Sequence, residues 1–222
     1  IFIADMPLVV ENSEIFGFAD DTTTTVSRPT IDEACTAATA DAERLMSYMR
    51  QNYLVANANK TKLLVIRPKR NEDSPPVMIN IDNQQVMETP CEKLLGIHLS
   101  NDLSWDNHVT HVKSSLNQGI GMLRTLAYTI PPNYLRQLAQ GLVLSKLRYG
   151  LPIYGTVRLS ETDQESGQMR MLEVAVNDTM RVIERKNRRD LIPIANLRAS
   201  TKIPSANQMA VQAITMEAWK IQ

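Results

Sequence analysis

Apolar residues recur every three or four positions along most of the second half of the chain. This spacing places the apolar side chains of an α-helix on one face, so it predicts amphipathic helices. Pro131 and Pro132 open one such stretch, and proline is favoured in the first turn of a helix. The stretches cover residues 105–123, 131–147, 167–184 and 204–220. The second half is therefore predicted to be a helical bundle, with loops such as YGLPIYG (149–155) between its helices.

The first 100 residues have short apolar runs rich in β-branched side chains, which are typical of strands. EIFGFA (14–19) and TTTTV (22–26) flank two aspartates and predict a β-hairpin with an acidic tip. Residues 30–50 predict a helix, because Thr30 and Glu33 have the spacing of a capping box. Further strands are predicted for KLLVI (62–66), VMINI (77–81) and KLLGIHL (93–99). The predicted class is α+β, a small antiparallel sheet with a helix followed by an all-helical bundle.

Composition places the chain among globular proteins, since 43% of its residues are hydrophobic and 22% are charged. No apolar run approaches the roughly 18 residues that span a bilayer, so no membrane partner is expected. Cys35 and Cys91 are too few for a disulfide framework and have no metal-ligand spacing with the histidines. Two reduced thiols favour an intracellular protein, and nuclear and cytoplasmic locations are expected. His108 and His111 are interpreted as surface or capping histidines.

The two ends of the sequence resemble interior segments of a longer protein. The chain opens on IFIADMPLVV, without Met and without the basic segment and cleavage site of a signal peptide. It closes on MEAWKIQ, inside a predicted helix. We therefore expect both ends to be cut from a longer protein.

Charge is divided unevenly along the chain, although the net charge is zero. Residues 1–59 hold nine acidic and three basic residues, a balance of −6, and residues 60–222 carry +6. An acidic front and a basic remainder suit a metal-binding edge beside a polyanion track. Solvated helix faces and loops are the simpler alternative. The basic excess is concentrated at Lys60, Lys62, Arg67, Lys69 and Arg70, and again within residues 181–202.

The acidic hairpin tip is the sharpest local candidate for chemistry. Asp20 and Asp21 lie outside the predicted strand pairing, and the small Ala19 leaves room for a bulky ligand. Mg²⁺ prefers hard oxygen ligands and usually receives a few carboxylates, waters and substrate phosphates. Two such ions can activate a hydroxyl and stabilise a leaving oxygen in phosphoryl transfer. An acidic pair that only solvates a turn is the alternative interpretation.

Two further positions have possible roles beside such a site. Lys60 could meet a triphosphate as a point charge, or give a proton to the leaving pyrophosphate. A solvated lysine in an Asn-rich turn is the alternative for Lys60. Gly96, inside the apolar KLLGIHL run, predicts either a bulge or a position where another backbone, such as a primer strand, comes close.

The order of these motifs resembles that of reverse transcriptases of the non-LTR retrotransposon type. FADDTT (18–23) resembles the Y/F-A-D-D catalytic box of the family. ADMPL (4–8) resembles the segment before that box, with Ala where the family has Asn. NANKT (57–61) resembles the N-x-x-K-T of motif D.

The resemblance continues through the rest of the chain. KLLGIHLSNDLSWDNHV (93–109) resembles the stretch that carries the primer grip and enters the thumb, with Leu94 in the aromatic place. Residues 124–155 resemble the thumb helices, and residues 176–210 resemble the segment that follows them. The resemblance thus covers nearly the whole chain, with its motifs in the family's order.

The resemblance implies a partial polymerase palm in residues 1–100, thumb helices in 101–160 and a helical post-thumb segment in 161–222. It implies RNA-directed DNA synthesis in the parent protein. Asp20 would bind catalytic Mg²⁺, and Asp21 would support the same site. The implied partners are an RNA template, a DNA primer, a deoxynucleoside triphosphate, and the upstream palm and fingers of the same polyprotein.

The resemblance also implies roles in substrate contact. Phe18 and Ala19 would line the primer end, and Lys60 would approach the incoming nucleotide. Leu95 and Gly96 would contribute to the primer grip.

A dense basic run near the C-terminal end offers a separate contact with nucleic acid. Arg185, Lys186, Arg188 and Arg189 lie within five consecutive positions. Because phosphates attract cations irrespective of base sequence, we predict that this run contacts the nucleic-acid backbone without sequence preference.

The chain departs from the family in what it lacks. The family's first catalytic aspartate lies upstream of the matching region, and Asp5 occupies a non-catalytic place in the pattern. Two adjacent carboxylates hold two metals poorly, because like charges resist joint ionisation without a cation between them. The chain alone is therefore predicted not to polymerise.

Two alternatives stay open at this point. One is a non-catalytic remnant whose helical module binds nucleic acid or a protein partner. The other is an unrelated metal-dependent phosphoryl-transfer domain, which needs a further acidic cluster. Glu161, Asp163 and Glu165 fall between predicted helices and are interpreted as solvated loop charge.

Overall fold

The protein is described by a computed structural model that covers residues 4–55, 60–67, 75–82, 84–156 and 167–220. Helices account for 55% and strands for 15% of the chain, so the predicted α+β class is confirmed. The chain divides into two compact units. The N-terminal unit comprises Ile1–Glu92 with Ser100–Asp102, and the helical unit comprises Lys93–Leu99 with Leu103–Gln222. The three-part palm and thumb division stays a prediction.

The described residues form seven short strands and eight α-helices. The strands are β1 (Glu14–Phe18), β2 (Asp21–Thr25), β3 (Leu63–Leu64), β4 (Met78–Ile81), β5 (Gln84–Thr89), β6 (Cys91–Leu94) and β7 (Ile97–Ser100). The helices are α1 (Ile31–Gln51), α2 (Asp106–Leu126), α3 (Pro132–Ala139), α4 (Ser145–Arg148), α5 (Leu151–Tyr154), α6 (Gly167–Ile183), α7 (Ile194–Thr201) and α8 (Ala206–Lys220). A 3₁₀ turn at Met6–Leu8 precedes β1, and a π-helical turn, Gln140–Leu144, joins α3 to α4.

Helix α1 is the centre of the N-terminal unit. The Oγ1 atom of Thr30 accepts the backbone N–H of Glu33 at 3.3 Å, which confirms the predicted N-cap. One side of α1 buries Leu45 and Tyr48 against Met6. Another side packs on a sheet in which β5 lies between an antiparallel β4 and a parallel β3. Neither β5 nor the parallel pairing follows from the sequence pattern.

A buried ion pair stabilises this sheet. Arg67 donates to both carboxylate oxygens of Glu88, which also accepts the backbone N–H of Val77 at 3.0 Å. The hydrogen bond from Arg67 lowers the pKa of Glu88 and keeps it charged. Burial in this pair removes Arg67 from the predicted polyanion track. Lys69 and Arg70 of the same basic cluster lie outside the described residues.

The helical unit has one continuous apolar core. The predicted apolar face of α2 is confirmed, since Val109, Leu116 and Leu123 are fully buried. A Cβ atom on Gly119 of α2 would lie 2.5 Å from the carbonyl oxygen of Leu142 in the π-helical turn. The two segments approach so closely that this position requires glycine. Fully buried residues from other segments of this core are Leu135, Leu144, Leu147, Leu151, Leu172, Met180 and Ile203.

The predicted strand over residues 93–99 is wrong, because the chain reverses direction in its middle. Strands β6 and β7 form a hairpin, with Leu95 and Gly96 as the two residues of its turn. Their φ angles are 47° and 86°. Two successive positive φ angles are those of a type I′ turn. Gly96 therefore serves a tight turn and not a bulge within a strand.

The predicted loop over residues 149–155 and the predicted surface position of His108 are also wrong. The loop contains helix α5, whose Tyr154 ring is buried. His108 is buried against this ring, edge to face, with centroids 4.5 Å apart. The Nδ1 atom of His108 accepts the backbone N–H of His98 at 3.2 Å. Burial, with His98 and His111 nearby, lowers the pKa of His108 to about 4.

Candidate functional site

The acidic tip is a β-hairpin, as the sequence predicts. β1 pairs with β2 so that Phe18 lies opposite Asp21, and the two residues of the turn are Ala19 and Asp20. Ala19 has a φ of 54°. A positive φ at the first turn residue gives a twist that matches the twist of paired strands. Asp20 therefore occupies the tip, as predicted. Asp21 pairs with Phe18 as the first residue of β2, so the prediction that it lies outside the strand pairing is wrong.

The two faces of this hairpin have different surroundings. Side chains alternate along a strand, so Ile15 lies on one face and Phe16 and Phe18 lie on the other. Ile15 packs against the cluster around Met6, whereas Phe16 and Phe18 are 55% and 64% exposed. Directly opposed residues of an antiparallel pair share a face, so Asp21 lies beside Phe18. The exposed face thus combines a carboxylate with aromatic rings.

Asp41 of α1 fixes the segment that leads into the hairpin. Its buried carboxylate accepts the backbone N–H groups of Glu11 and Asn12 at 3.1 and 2.8 Å. It also accepts the hydroxyl of Ser13 at 2.6 Å. Burial alone raises the pKa of Asp41, but hydrogen bonds from Ser13, Glu11, Asn12 and Arg44 prevail and hold that pKa well below its usual range. The hairpin therefore begins from a fixed support.

The carboxylates of Asp20 and Asp21 are the type of ligand that a hard cation takes, but two carboxylates do not complete its coordination. Both are exposed carboxylates at adjacent positions, and Mg²⁺ takes carboxylates together with waters and phosphate oxygens. Within the described part of the chain, no group of three or more His, Cys, Asp or Glu side chains is placed to hold a metal ion. The carboxylate of Asp5, a further acidic residue of this unit, accepts a hydrogen bond from the Tyr48 hydroxyl. A hard cation at the hairpin would therefore have two carboxylates from this chain, and substrate or another segment would have to supply the other ligands.

Lys60 is exposed, and Thr61 beside it is half-buried. Asn57 of the same motif lies outside the described residues. Among the hydrogen bonds and ion pairs of the described side chains, none joins Lys60 to Asp20 or Asp21. The role of Lys60 at an incoming nucleotide stays a prediction.

Leu95 and Gly96 lie at the β6–β7 turn, where Tyr149 packs against them. The Tyr149 hydroxyl donates to the Leu95 carbonyl oxygen at 2.5 Å. A Cβ atom on Gly96 would lie 3.0 Å from the Tyr149 ring. This contact and the turn explain the glycine without a ligand, whereas the side chain of Leu95 is 44% exposed and accessible.

The four cations of the predicted backbone-binding run differ in their surroundings. Arg188 binds the carboxylate of Asp178 through two N–H groups, which offsets its charge. Arg185 donates one N–H to a backbone carbonyl in the loop after α2, at 3.2 Å. Lys186 and Arg189 are exposed, and their side chains have no hydrogen bond or ion pair with another described residue. Lys186 and Arg189 are therefore the freest to meet a phosphate.

A cleft of about 320 Å³ lies where the C-terminal ends of α2 and α6 meet. Arg124 of α2 lines it, together with Arg181, Lys186 and the pair of Arg188 with Asp178. Arg181 donates to two carbonyl oxygens of the loop after α6 and so orders that loop. Sequence reasoning missed Arg124, because only the packing of α2 on α6 brings it to the basic run.

Comparison of the chain with protein-family models, with curated proteins and with solved structures finds no match. None of the helices in the described ranges is long and apolar enough to cross a membrane. A fold class does not by itself specify an activity, so the function is argued from the hairpin and the cleft.

Proposed function

We propose that this chain is the part of a non-LTR-type reverse transcriptase that runs from the palm into the thumb, and that its acidic hairpin holds catalytic Mg²⁺. One observation carries the proposal. Asp21 lies beside Phe18 on an exposed strand face, with Asp20 at the adjoining tip. Carboxylates in this position are accessible to a polyanionic substrate. The order of the sequence motifs along the chain is independent support.

In the proposed reaction, the 3′-hydroxyl oxygen of a DNA primer forms a bond to the α-phosphorus of a deoxynucleoside triphosphate. The bond from that phosphorus to the pyrophosphate oxygen breaks, and the hydroxyl proton passes to water. When bound, Mg²⁺ supplies positive charge against the charge that develops on the phosphoryl oxygens. Asp20 and Asp21 would hold the ion. Phe18 and Ala19 line the primer end, and Lys60 offers its charge or a proton to the pyrophosphate.

The hairpin alone is not a sufficient site for this reaction. Asp20 and Asp21 give only two carboxylates, which are fewer ligands than a Mg²⁺ ion takes. A further carboxylate from the upstream palm of the same polyprotein completes the site in this proposal. The fingers of that polyprotein complete the binding of template RNA and nucleotide. We therefore expect no polymerase activity from the 222-residue chain by itself.

Extension of a DNA primer on an RNA template with Mg²⁺ tests the proposal. It is measured for this chain and for a longer protein that adds the upstream palm and fingers. We expect extension only with the longer protein. The substitutions Asp20→Asn and Asp21→Asn keep the side-chain shape and remove the charge, so each should reduce extension roughly 100-fold or more.

A matched control lies on the same hairpin. Glu14 is an exposed carboxylate at the far end of β1, opposite Thr25. Glu14→Gln should leave primer extension unchanged. Full activity of the longer protein with both Asp20→Asn and Asp21→Asn would exclude the hairpin as the metal site.

A second candidate function is a non-catalytic module that binds nucleic acid. The observation that favours it is the basic cleft, with the exposed Lys186 and Arg189 beside it. Such a module predicts binding that weakens steeply with salt, because neutralised phosphates release counterions. Salt-dependent binding together with an inactive longer protein would favour this candidate over the polymerase.

A further inference from the structure

We infer that the helical unit carries a site for single-stranded nucleic acid at the shared end of α2 and α6. In this site the basic cleft holds a phosphodiester group, and the ring of Tyr128 stacks on a neighbouring base. The inference rests on the nucleic-acid-binding role proposed above and gives it a ligand class. It needs no chemistry at the hairpin.

The cleft has an excess of positive charge. Four cationic side chains and one carboxylate line it. Arg188 offsets the carboxylate of Asp178, and among the described residues Arg124, Arg181 and Lys186 have no ion-pair partner. Cations gathered in a concave surface raise the local concentration of anions. A phosphodiester is the expected ligand because it is a compact anion with two accepting oxygens.

Tyr128 follows the C-terminal end of α2, four positions after Arg124 of the cleft. Helical backbone continues past the end of α2 through Ala127, which has φ −62° and ψ −20° and donates its N–H to Leu123 at 2.9 Å. Residues four positions apart are neighbours on a helix surface, so Tyr128 lies next to Arg124. The Tyr128 side chain is 89% exposed. A large aromatic face four positions from Arg124 is therefore open to solvent.

The loops after α2 and α6 form one surface. The Arg185 guanidinium donates to the Ile130 carbonyl oxygen at 3.2 Å. Arg185 has a φ of 54°, its N–H bonds the Val182 carbonyl, and the N–H of Lys186 bonds the Arg181 carbonyl. This is the Schellman arrangement, in which glycine is the usual left-handed residue. The Arg185 guanidinium thus joins the loop after α6 to the loop after α2.

An apolar depression continues the surface and favours a single strand over a duplex. The depression has a volume of about 540 Å³ and is lined by Ile130, Pro131 and Tyr134. The Tyr134 side chain is 60% exposed. Unpaired bases expose their faces to aromatic rings, whereas a duplex offers phosphates but keeps its bases stacked inside. Exposed tyrosines beside a basic cleft therefore match a single strand.

Fluorescence anisotropy of the full chain with labelled oligothymidylate about 10 nucleotides long tests the inference. The same measurement uses oligouridylate of equal length, and a duplex of equal length. We expect both single strands to bind more tightly than the duplex. Tyr128→Ala should lower single-strand affinity about tenfold and leave the salt dependence unchanged. Arg124→Gln should reduce the slope of log affinity against log salt by about 0.7.

Matched variants separate these effects from general damage. Tyr128→Phe keeps the aromatic face and should keep the affinity. Tyr53→Ala removes a ring that is 96% exposed in the N-terminal unit, and it should change nothing. Arg148→Gln removes an exposed arginine that donates to Gln140 at 2.9 Å, and it should keep the wild-type salt slope.

Three results would overturn the inference. One is unchanged single-strand affinity in Tyr128→Ala. Another is duplex binding as tight as single-strand binding. The third is binding of inorganic phosphate at the cleft with no oligonucleotide affinity above that of phosphate. Affinity for either single strand well above that for the duplex, lost in Tyr128→Ala, supports the inference.

The same assay keeps this inference distinct from the polymerase proposal. A chain with Asp20→Asn and Asp21→Asn should bind the single strands as the wild type does. Loss of primer extension with retained binding therefore tests the hairpin alone, and loss of binding in Tyr128→Ala tests the cleft alone.

Discussion

The two units of this molecule are stabilised in different ways. The helical unit buries residues such as Leu116, Leu147 and Met180 completely in one continuous core. The N-terminal unit has two small apolar clusters, around Leu45 and around Ile79, and depends on buried hydrogen-bonded charges. Apolar burial is insensitive to pH, whereas a buried ionisable group responds to it, and each unit contains such a group: Asp41 in the N-terminal unit and His108 in the helical unit. Each unit should therefore lose stability under its own conditions.

The two units also present different surfaces to a ligand. The acidic hairpin starts from backbone fixed by the Asp41 carboxylate, so hydrogen bonds set its position. The basic cleft lies at the ends of two helices packed in the larger core, so apolar packing sets its shape. Substitutions that weaken one kind of support should leave the other site intact.

The largest expected effect is a loss of stability of the helical unit as the pH falls. Burial, with His98 and His111 nearby, lowers the pKa of His108 from 6.5 to about 4. The unfolded chain then binds the proton first, so the contribution of His108 to stability is complete above pH 6.5 and is lost as the pH falls towards 4. We expect a loss of about 3 kcal/mol over this window. Urea unfolding measured by Trp105 fluorescence in a Trp219→Phe chain reports it.

Two variants test whether His108 is responsible. His108→Asn keeps an acceptor for the His98 N–H and cannot take the proton, so the pH dependence between about 6.5 and about 4 should flatten. His111→Asn changes an exposed histidine and should keep most of that dependence. An unchanged pH profile in His108→Asn would assign the acid sensitivity to another group.

The next effect in size concerns Asp41 in the N-terminal unit. Asp41→Asn places an N–H₂ group among donors from Glu11, Asn12 and Ser13, so some donors lose their acceptor. We expect a loss of about 2 kcal/mol. Hydrogen exchange at the Glu11 and Asn12 amides should accelerate. Glu43→Gln, an exposed site on the same helix, is the matched control and should leave this exchange unchanged.

The pKa of Asp41 sharpens the contrast between the units. Because this pKa lies below its ordinary value of 3.8 in the folded state, the unfolded chain binds the proton more readily. The stability from Asp41 is therefore complete above about pH 4 and is lost as the pH falls further. The helical unit should lose its histidine contribution first on acidification. Simultaneous loss of the contributions from His108 and Asp41 would break the comparison.

Helical periodicity predicts the larger unit well because one core determines its burial. The apolar stripe of α2 from Val109 to Leu123 is buried as its spacing predicts. The short elements are harder to predict. Leu95 adopts a positive φ that no local signal indicates for leucine, so the sequence pattern predicts a single strand where the structure has the β6–β7 hairpin. Asp41 interrupts the apolar face one turn before Leu45, and this was the available signal for a buried anchor.

Of the two candidate sites, the sequence likewise predicts one and not the other. Asp20 and Asp21 are adjacent in sequence between two strand-like runs, so the hairpin tip follows from local pattern. The cleft depends on tertiary packing, because Arg124 and Tyr128 belong to a different helix from Lys186. No sequence period links these helices. The pairing of Arg188 with Asp178, and hence which cations stay available, likewise requires the folded geometry.

The smallest expected effect separates stability from binding at a single residue. Arg185→Gly relieves a left-handed conformation that glycine adopts without strain, and it removes the guanidinium from the surface beside the cleft. We expect a gain of up to about 1 kcal/mol in stability together with weaker binding of oligothymidylate. Lys202→Gly is the matched control, because Lys202 ends α7 with a φ of 56°. It should gain similar stability and keep the affinity. If Arg185→Gly gains stability and binds as before, Arg185 holds the loop without contacting the strand, and the site contracts to Arg124, Lys186 and Tyr128.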